Sequence, residues 1–286
     1  MNTMATPLEM HVRMLSEEFH PRDWQHPKNM DKAASYVEGI FSLYGGDPSF
    51  QEFKVYGSIY RNVIARFGPR TGPKLIVGAH YDSCCTTPGA DDNASGVAGL
   101  LELARLLREN QPKFGVELVA YALEEPPFFG TEWMGSYIHA KNLDPKQIMG
   151  AIVFEMIGYF TDEDDTQTFP FPTEGKGYPS RGDFIAVVGN ERSHRLVDIT
   201  ELGMRRAGIP ALSLVGSEEM DIISLSDHSS YWKFGIPGIM VTDTAFLRNK
   251  NYHRPQDTAD TLDYERMAMV VNGTMMAIKT IKHRGM

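Results

Sequence analysis

Apolar strand patterns and amphipathic helix patterns alternate along the chain from residue 75 onward. The first strand pattern is the β-branched run Leu75-Ile76-Val77, and the clearest helix pattern follows over residues 94–109. Further strands are predicted over residues 116–122, 151–154, 183–188, 211–215 and 239–242, and further helices over residues 133–140, 192–206 and 262–281. Alternation of this kind is typical of a largely parallel sheet covered on both faces by helices. We therefore predict an α/β fold with three layers, α/β/α, around a central mixed, mostly parallel sheet.

Two regions fall outside this alternating pattern. In the first 70 residues we expect irregular or short helical structure up to residue 30, a helix over residues 31–44, and two antiparallel strands over residues 53–67. Residues 161–182 are acidic, then rich in proline and glycine, and predict a long loop that is either functional or mobile. The chain has no repeat or linker, so we predict a single domain over residues 1–286, in which residues 1–70 pack on a core formed by residues 71–286.

Composition limits the partners and the compartment. The net charge of −9 argues against binding to nucleic acid or to an anionic membrane surface. No apolar run reaches the length of a membrane span, and the start of the chain lacks a basic and apolar leader. We therefore expect a cytoplasmic protein, although a removed secretion signal stays open. The only two cysteines, Cys84 and Cys85, are adjacent, which excludes a disulfide framework and favours free thiols over a strained vicinal bridge. They can be soft metal ligands, but the nearby oxygen and imidazole donors favour a position in the lining of the pocket.

Metal-ligand residue types follow three successive strand patterns and recur later in the chain. Those at the strand ends are His80, Asp82, Glu124, Glu125 and Glu155. Asp92 opens the next helix, and His253 lies in a late loop. Open α/β sheets bind their ligands at the carboxyl ends of their strands, so these side chains can converge. Two imidazoles with several carboxylates form a ligand set suited to zinc, and so many acids would repel one another unless cations neutralise them.

The adjacent pair Glu124-Glu125 suggests a division of roles. Neighbouring residues at a strand end point to different sides, so one can bind metal while the other moves protons, as metal-assisted hydrolysis requires. Simpler interpretations exist for single residues, because Asp92 can be only a helix cap and His80 only a core histidine. His228 competes with His253 as a ligand, and we favour a structural role for His228 near the site.

Several spaced blocks resemble the signature of the di-zinc aminopeptidase family, which includes glutamate carboxypeptidase-like and glutaminyl cyclase-like members. The blocks are GAHYDS, PGADDNASG, LEEPPFFGTEWMGS, FEMIGY, and SDHSSYW followed by YHRPQDT. They run in the family's order and cover residues 75–260. The resemblance implies the phosphorylase/hydrolase-like fold of zinc exopeptidases and two bound zinc ions, with other divalent metals left open.

The resemblance also implies roles for individual residues. His80 matches a ligand of one zinc, Asp92 the carboxylate that bridges both ions, Glu125 a ligand of the other zinc, and His253 the last histidine ligand. Glu155 falls at a further metal-ligand position, where most members have aspartate.

Three further residues match positions that act beside the ligands. Glu124 resembles the general base, and Asp82 the acid that orients the first histidine. Tyr252 resembles a tyrosine that some members aim at the developing oxyanion.

These matches predict a metal-dependent exopeptidase, in particular an aminopeptidase that cleaves peptide substrates with a zinc-bridged water and a glutamate base. Candidates for an apolar pocket that takes the first side chain are Met156, Ile157, Phe128, Phe129 and Tyr231. The alternatives are a glutaminyl cyclase-like acyltransferase with one zinc, a glutamate carboxypeptidase-like hydrolase, and a binding module without activity. The oligomeric state is not indicated.

Overall fold

The computed structural model describes residues 5–172 and 177–281, and in this part of the chain one eight-stranded sheet forms the centre. Its strands are β1 (Ser49–Val55), β2 (Ser58–Phe67), β3 (Lys74–His80), β4 (Gly115–Tyr121), β5 (Ile148–Phe154), β6 (Ile185–Asn190), β7 (Ala211–Gly216) and β8 (Gly238–Thr242). They lie in the order β1-β2-β4-β3-β5-β8-β6-β7, and the four central strands run parallel. β2 and β6 are antiparallel to β4 and β8. The sheet is mixed with a parallel centre, which confirms the predicted α/β class.

Helices cover both faces of the sheet. They are α1 (Ala5–Arg13), α2 (Pro27–Leu43), α3 (Gly96–Glu109), α4 (Gly135–Lys141), α5 (His194–Arg206), α6 (His228–Trp232) and α7 (Tyr264–Thr280). Residues of α1, α2, α3, α5 and α7 belong to the apolar cluster that contains Leu75 and Val77. Residues of α4 and α6 pack with Ile76 on the opposite face, because successive strand residues point to opposite sides. The predicted three-layer arrangement is confirmed.

The predicted elements recur with ends shifted by a few residues. The helix expected over residues 31–44 begins earlier, at Pro27, since proline is well tolerated in the first turn of a helix. The five-residue helix α6 was not predicted, because so short a segment shows no periodicity. Within the predicted loop 161–182 the described residues form no helix or strand, and residues 173–176 lie outside the described residues.

The N-terminal part of the chain packs against the rest of the protein. Leu8, Val37 and Val55 belong to the same buried cluster as Val97 of α3. The assignment of residues 1–286 to one domain stays a prediction, and residues 1–4 and 282–286 lie outside the described residues. In the described part of the chain, each helix is too short or too polar to cross a bilayer.

The order of the central strands decides where polar side chains meet. β3 lies between β4 and β5, and all three run in the same direction. β3 ends at His80, β5 ends one residue before Glu155, and β4 ends shortly before Glu124 and Glu125. The carboxyl ends of these neighbours therefore lie side by side, as the strand-end pattern predicts.

Candidate metal centre

Five side chains converge at this edge of the sheet, with the Asp92 carboxylate in the middle. One of its oxygens, Oδ1, lies 3.5 Å from Nε2 of His80, which is also 3.3 Å from Oε2 of Glu155. Its other oxygen, Oδ2, lies 3.0 Å from Nε2 of His253, which is 3.3 Å from Oε2 of Glu125. The structure thus brings together all five side chains that the resemblance assigns to metal binding. Asp92 has one oxygen on the His80 side and one on the His253 side.

Several donor atoms of this cluster are buried without a hydrogen-bond partner among the described residues. They are both ring nitrogens of His80, Oε1 of Glu125 and Nε2 of His253. Buried polar atoms are normally paired, so Nε2 of His80, Oε1 of Glu125 and Nε2 of His253 call for a partner from outside the chain. Imidazole nitrogens and carboxylate oxygens are ligands that zinc and similar divalent cations accept. The donor set and its unpaired atoms therefore fit bound divalent metal.

The charges in the cluster are unbalanced. No lysine or arginine in the described part of the chain forms an ion pair with Asp92, Glu124, Glu125 or Glu155. Burial raises the pKa of Glu124 well above its usual range, and that of Glu125 likewise, with the charges of neighbouring acids adding to the shift. Burial alone would lower the pKa of His80, but the nearby carboxylates outweigh it and raise that pKa well above its ordinary value. A cation would relieve this repulsion.

Asp82 holds the strand-end acids in place. Its Oδ1 accepts a hydrogen bond from the backbone N–H of Glu124 at 3.2 Å, and its Oδ2 accepts one from Glu125 at 3.1 Å. The same Oδ1 lies 3.5 Å from Nδ1 of His80. Asp82 therefore sits behind both the first histidine and the glutamate pair, where it can orient all three.

Two residues that were not singled out from the sequence shape the loop around Asp92. The carboxylate of Asp257 accepts the backbone N–H groups of Asp91, at 2.8 Å, and Asp92, at 3.1 Å. Asn93 donates to the carbonyl of Phe154 and accepts from the N–H groups of Met156 and Gly96. The peptide bond between Asp92 and Asn93 is cis. Both residues lie inside the sequence blocks that resemble the family, and this position is the sequence feature that could have identified them.

Arg22 is a further residue that the sequence did not indicate. It is fully buried, and its guanidinium donates to the carbonyls of Leu15, Tyr81, Pro88 and Gly89. These bonds tie the N-terminal segment to both ends of the loop between β3 and Asp92. Arg22 lies in a polar, proline-interrupted stretch without periodicity, so no sequence pattern marks it.

The two predicted catalytic residues lie beside the cluster. Oε2 of Glu124 is 3.8 Å from Nε2 of His80, and its side chain is buried. The ring of Tyr252 stacks on that of His253, with centroids 3.8 Å apart and planes 19° apart. His228 instead lies in the core, where its Nε2 pairs with the carbonyl of Ile223 at 2.7 Å and its ring packs on Trp232. The structural role favoured for His228 agrees with this position.

A cavity of about 230 Å³ opens next to the cluster. Asp92, Glu124, Glu125, Glu155 and His253 line one end of it, together with Tyr252. The rest of the wall is largely apolar and includes Phe129, Phe169, Phe171, Tyr178, Phe184, Ala186, Val188, Leu212, Leu214, Ile222, Met240 and Phe246. No lysine or arginine belongs to the described lining of this cavity.

Four of the five predicted pocket residues do not line this cavity. The backbone N–H of Met156 is bound by Asn93 and that of Ile157 by Ser95, and the side chains of Met156 and Ile157 are fully buried.

The other two also belong to the interior. Phe128 packs against Trp24 and Tyr56. The Tyr231 hydroxyl is hydrogen-bonded to two core groups, the hydroxyl of Tyr121 at 2.6 Å and Nδ1 of His139 at 2.8 Å. Only Phe129 among the five reaches the cavity. The wall comes instead from loop 161–182 and from β6 and β7. In the sequence, the apolar residues of these segments resemble ordinary core or loop positions.

The two cysteines lie in the loop that leads from β3 to Asp92. Both thiols are free, with their sulfurs 2.9 Å apart. Cys84 is buried and Cys85 is exposed. Burial raises the pKa of the Cys84 thiol to about 11. Sγ of Cys84, a side-chain oxygen of Glu125 and a ring nitrogen of His253 lie within 4.8 Å of one another.

The chain is 45% identical to an uncharacterized protein, YfbL, from Escherichia coli strain K12, over 96% of this chain and 88% of that one. It is 27% identical to the probable aminopeptidase YDR415C of Saccharomyces cerevisiae, over 76% of this chain and 55% of the yeast protein.

Solved structures share the fold at low sequence identity. The zinc aminopeptidase BSAP from Bacillus subtilis superposes with a TM-score of 0.78 at 14% identity, over 98% of this chain and 97% of that one. A glutaminyl cyclase from Bacteroides thetaiotaomicron gives a TM-score of 0.72 at 19% identity, over 97% and 98% of the two chains. The profile of peptidase family M28 matches residues 62–278, which confirms the resemblance. The chain belongs to peptidase family M28.

Proposed function

We propose that this protein is a zinc-dependent aminopeptidase that removes N-terminal residues from peptides through a two-metal centre. The observation that carries the proposal is the position of Asp92, whose two oxygens face His80 on one side and His253 on the other. Membership in family M28 and the named aminopeptidases among its relatives support the class of reaction. The metal count and the residue roles are our inference from the resemblance, and the geometry supports them.

The residues divide into two ligand sets that share Asp92. His80 and Glu155 complete one set, and Glu125 and His253 complete the other. When bound, divalent zinc supplies Lewis-acid polarisation of the scissile carbonyl and a lower pKa for the attacking water. A glutaminyl cyclase-like centre with one zinc would leave one oxygen of Asp92 without a role, so this alternative is less well supported.

Glu124 is the proposed general base and acid. Its Oε2 lies 3.8 Å from Nε2 of His80 and near Glu155, and it is the resemblance that gives Glu124 the role of base rather than of ligand. In the proposed reaction Glu124 accepts a proton from the attacking water and returns it to the leaving amine.

Tyr252 is the proposed donor to the oxyanion that develops at the scissile carbonyl. Its stacking on His253 holds the phenol ring at the mouth of the cluster, where it lines the cavity. In Tyr252→Phe we expect kcat to fall while bound metal stays unchanged. An unchanged kcat would leave Tyr252 with a packing role only.

The charges of the site favour the amino end of a peptide over the carboxyl end. A peptide held by its terminal carboxylate, as in a carboxypeptidase, needs a cationic partner in the cavity. The described lining of the cavity contains no lysine or arginine to provide one. The apolar wall then suits a large hydrophobic side chain on the first residue.

A substrate panel tests this function. We expect hydrolysis of leucine and phenylalanine chromogenic amides, weak activity on aspartate or lysine amides, and none on their N-acetylated forms. Hydrolysis of N-acetylated substrates at the same rate would contradict an aminopeptidase. Cyclisation of an N-terminal glutamine peptide without hydrolysis of any amide would favour the cyclase alternative.

A further inference from the structure

A sulfur atom that neither the ligand sets nor the mechanism uses lies next to the metal centre. Sγ of Cys84 forms a compact group with a carboxylate oxygen of Glu125 and a ring nitrogen of His253, all within 4.8 Å of one another. Glu125 is 95% buried, and its Oε1 has no hydrogen-bond partner in the described part of the chain. Nε2 of His253 is likewise without such a partner. The unpaired atoms of Glu125 and His253 call for a ligand, and the sulfur lies close enough to share it.

The backbone holds Cys84 in this position. Its carbonyl accepts hydrogen bonds from both the N–H and the hydroxyl of Thr87, at 2.8 and 2.7 Å. The preceding residue, Ser83, is tied to the carbonyl of Arg22 and to that of Thr87. Cys84 is therefore fixed on the inside of a bonded turn, while Cys85 is exposed.

We propose that the Cys84 thiolate is a further protein ligand on the Glu125–His253 side of the metal centre. This inference rests on the proposed two-metal function and extends it by one donor. When the sulfur–metal bond forms, the thiol proton leaves to solvent and no oxidation state changes. Sulfur, nitrogen and oxygen donors together select borderline and soft divalent cations, such as zinc, cobalt and cadmium, over hard ones such as magnesium and manganese.

Cobalt absorption tests the assignment without using enzyme activity. The full-length protein is stripped of metal with a chelator, kept reduced with a phosphine, and titrated with Co²⁺. We expect visible cobalt bands together with a near-ultraviolet thiolate-to-cobalt charge-transfer band in the wild type. Cys85→Ser is the matched control and should keep both, whereas Cys84→Ser should keep the visible bands and lose the charge-transfer band.

The outcomes separate this inference from the proposed function. Visible cobalt bands without a charge-transfer band in the wild type would overturn sulfur ligation and leave the metal centre standing. A charge-transfer band that survives in Cys84→Ser would also overturn it. The absence of all cobalt bands in the wild type would overturn the metal centre and the thiolate ligand together.

A second readout covers the case in which Cys84→Ser disturbs the whole site. NMR of cadmium bound to the wild-type protein reports sulfur ligation directly, because a thiolate ligand moves the metal resonance strongly downfield. A downfield resonance supports the Cys84 ligand, and a resonance in the range of nitrogen and oxygen ligation overturns it.

Discussion

Buried carboxylates within β4 and just after it have different surroundings. Glu117 sits within β4, next to the cationic side chains of Arg66 and Lys74 and to the ring of His139. Glu124 and Glu125 follow the end of β4, and no lysine or arginine in the described part of the chain forms an ion pair with them. The same residue type thus meets two opposite environments within a few residues.

The buried carboxylate of Glu117 is fully paired with side chains of the protein. Its carboxylate lies 2.7 Å from Nζ of Lys74, 3.0 Å from Nε of Arg66 and 3.1 Å from Nε2 of His139. Burial alone would raise the pKa of Glu117, but the bonds to His139 and Lys74 outweigh it and lower that pKa to about 2. This carboxylate is charged and satisfied without any external group.

The contrast indicates what each group is for. Buried carboxylates cost free energy unless they are paired, and the chain contains the means to pair them, as Glu117 shows. The group at the strand ends is left with raised pKa values at Glu124 and Glu125 and with unpaired ligand atoms. We infer that its missing positive charge comes from bound metal.

The largest expected effect is on the reaction rate. Glu124→Gln removes the proton acceptor but keeps the shape of the side chain, so kcat should fall by about 10²–10⁴-fold. Metal content should stay at the wild-type value, because Glu124 is not a proposed ligand. Steady-state kinetics and metal analysis of the same samples measure both. Glu125→Gln is the matched control and should lose metal, and wild-type activity in Glu124→Gln would end the assignment of the base.

The second largest expected effect is the loss of stability on metal removal, which should come only from the carboxylates at the strand ends. If zinc binds only the folded state, free zinc at about 100 to 1,000 times its Kd adds about 2.7–4.1 kcal/mol to the free energy of unfolding. Denaturant unfolding with and without chelator measures this difference. Glu117→Gln should show the same zinc-dependent increment, because its own group needs no metal. If zinc adds nothing to the free energy of unfolding of the wild type, the claim that metal neutralises the strand-end carboxylates is wrong.

Glu117→Gln should have a smaller effect, confined to stability. The loss of charge-assisted bonds should lower the free energy of unfolding by roughly 1.5–3 kcal/mol at neutral pH. Because the pKa of Glu117 is lowered in the folded state, its contribution is present above about pH 4.5 and lost as the pH falls toward 2. The gap between wild type and variant should therefore close below pH 4.5, which unfolding curves at several pH values can follow. A gap that stays constant down to pH 3 would contradict this account.

The smallest expected effect is that of Glu155→Asp. Oε2 of Glu155 lies 3.3 Å from Nε2 of His80 and accepts a 2.6 Å hydrogen bond from Ser226. The shorter side chain withdraws from both partners, so metal affinity should fall by roughly tenfold. Competition titration with a zinc indicator measures it, with Ser226→Ala as the comparison that removes only the hydrogen bond. A gain in affinity would mean that the longer side chain is a poor fit here.

The polar edge of the sheet was more predictable than the apolar cavity. His80, Glu125 and Glu155 follow directly from parallel neighbouring strands, because strand ends of one direction must share an edge. Asp92 and His253 needed the spaced sequence blocks, since they come from a loop and from a segment far along the chain.

The cavity wall was not predictable in the same way. Met156 and Ile157 directly follow Glu155 in sequence, yet hydrogen bonds to Asn93 and Ser95 hold their backbone against the start of α3 and their side chains are buried in the core. Phe169 of a loop without periodicity lines the cavity instead. Side-chain direction after a strand end depends on such tertiary bonds, which no local pattern reports. Arg22 shows the same limit at a fully buried position.

Anomalous diffraction at the zinc absorption edge, from crystals grown with zinc, tests the central claim most directly. We predict two zinc peaks per chain, one on each side of the Asp92 carboxylate, with His80 and Glu155 at one peak and Glu125 and His253 at the other. A single peak, or none within this group of side chains, would contradict the claim that metal supplies the charge that the chain itself provides at Glu117.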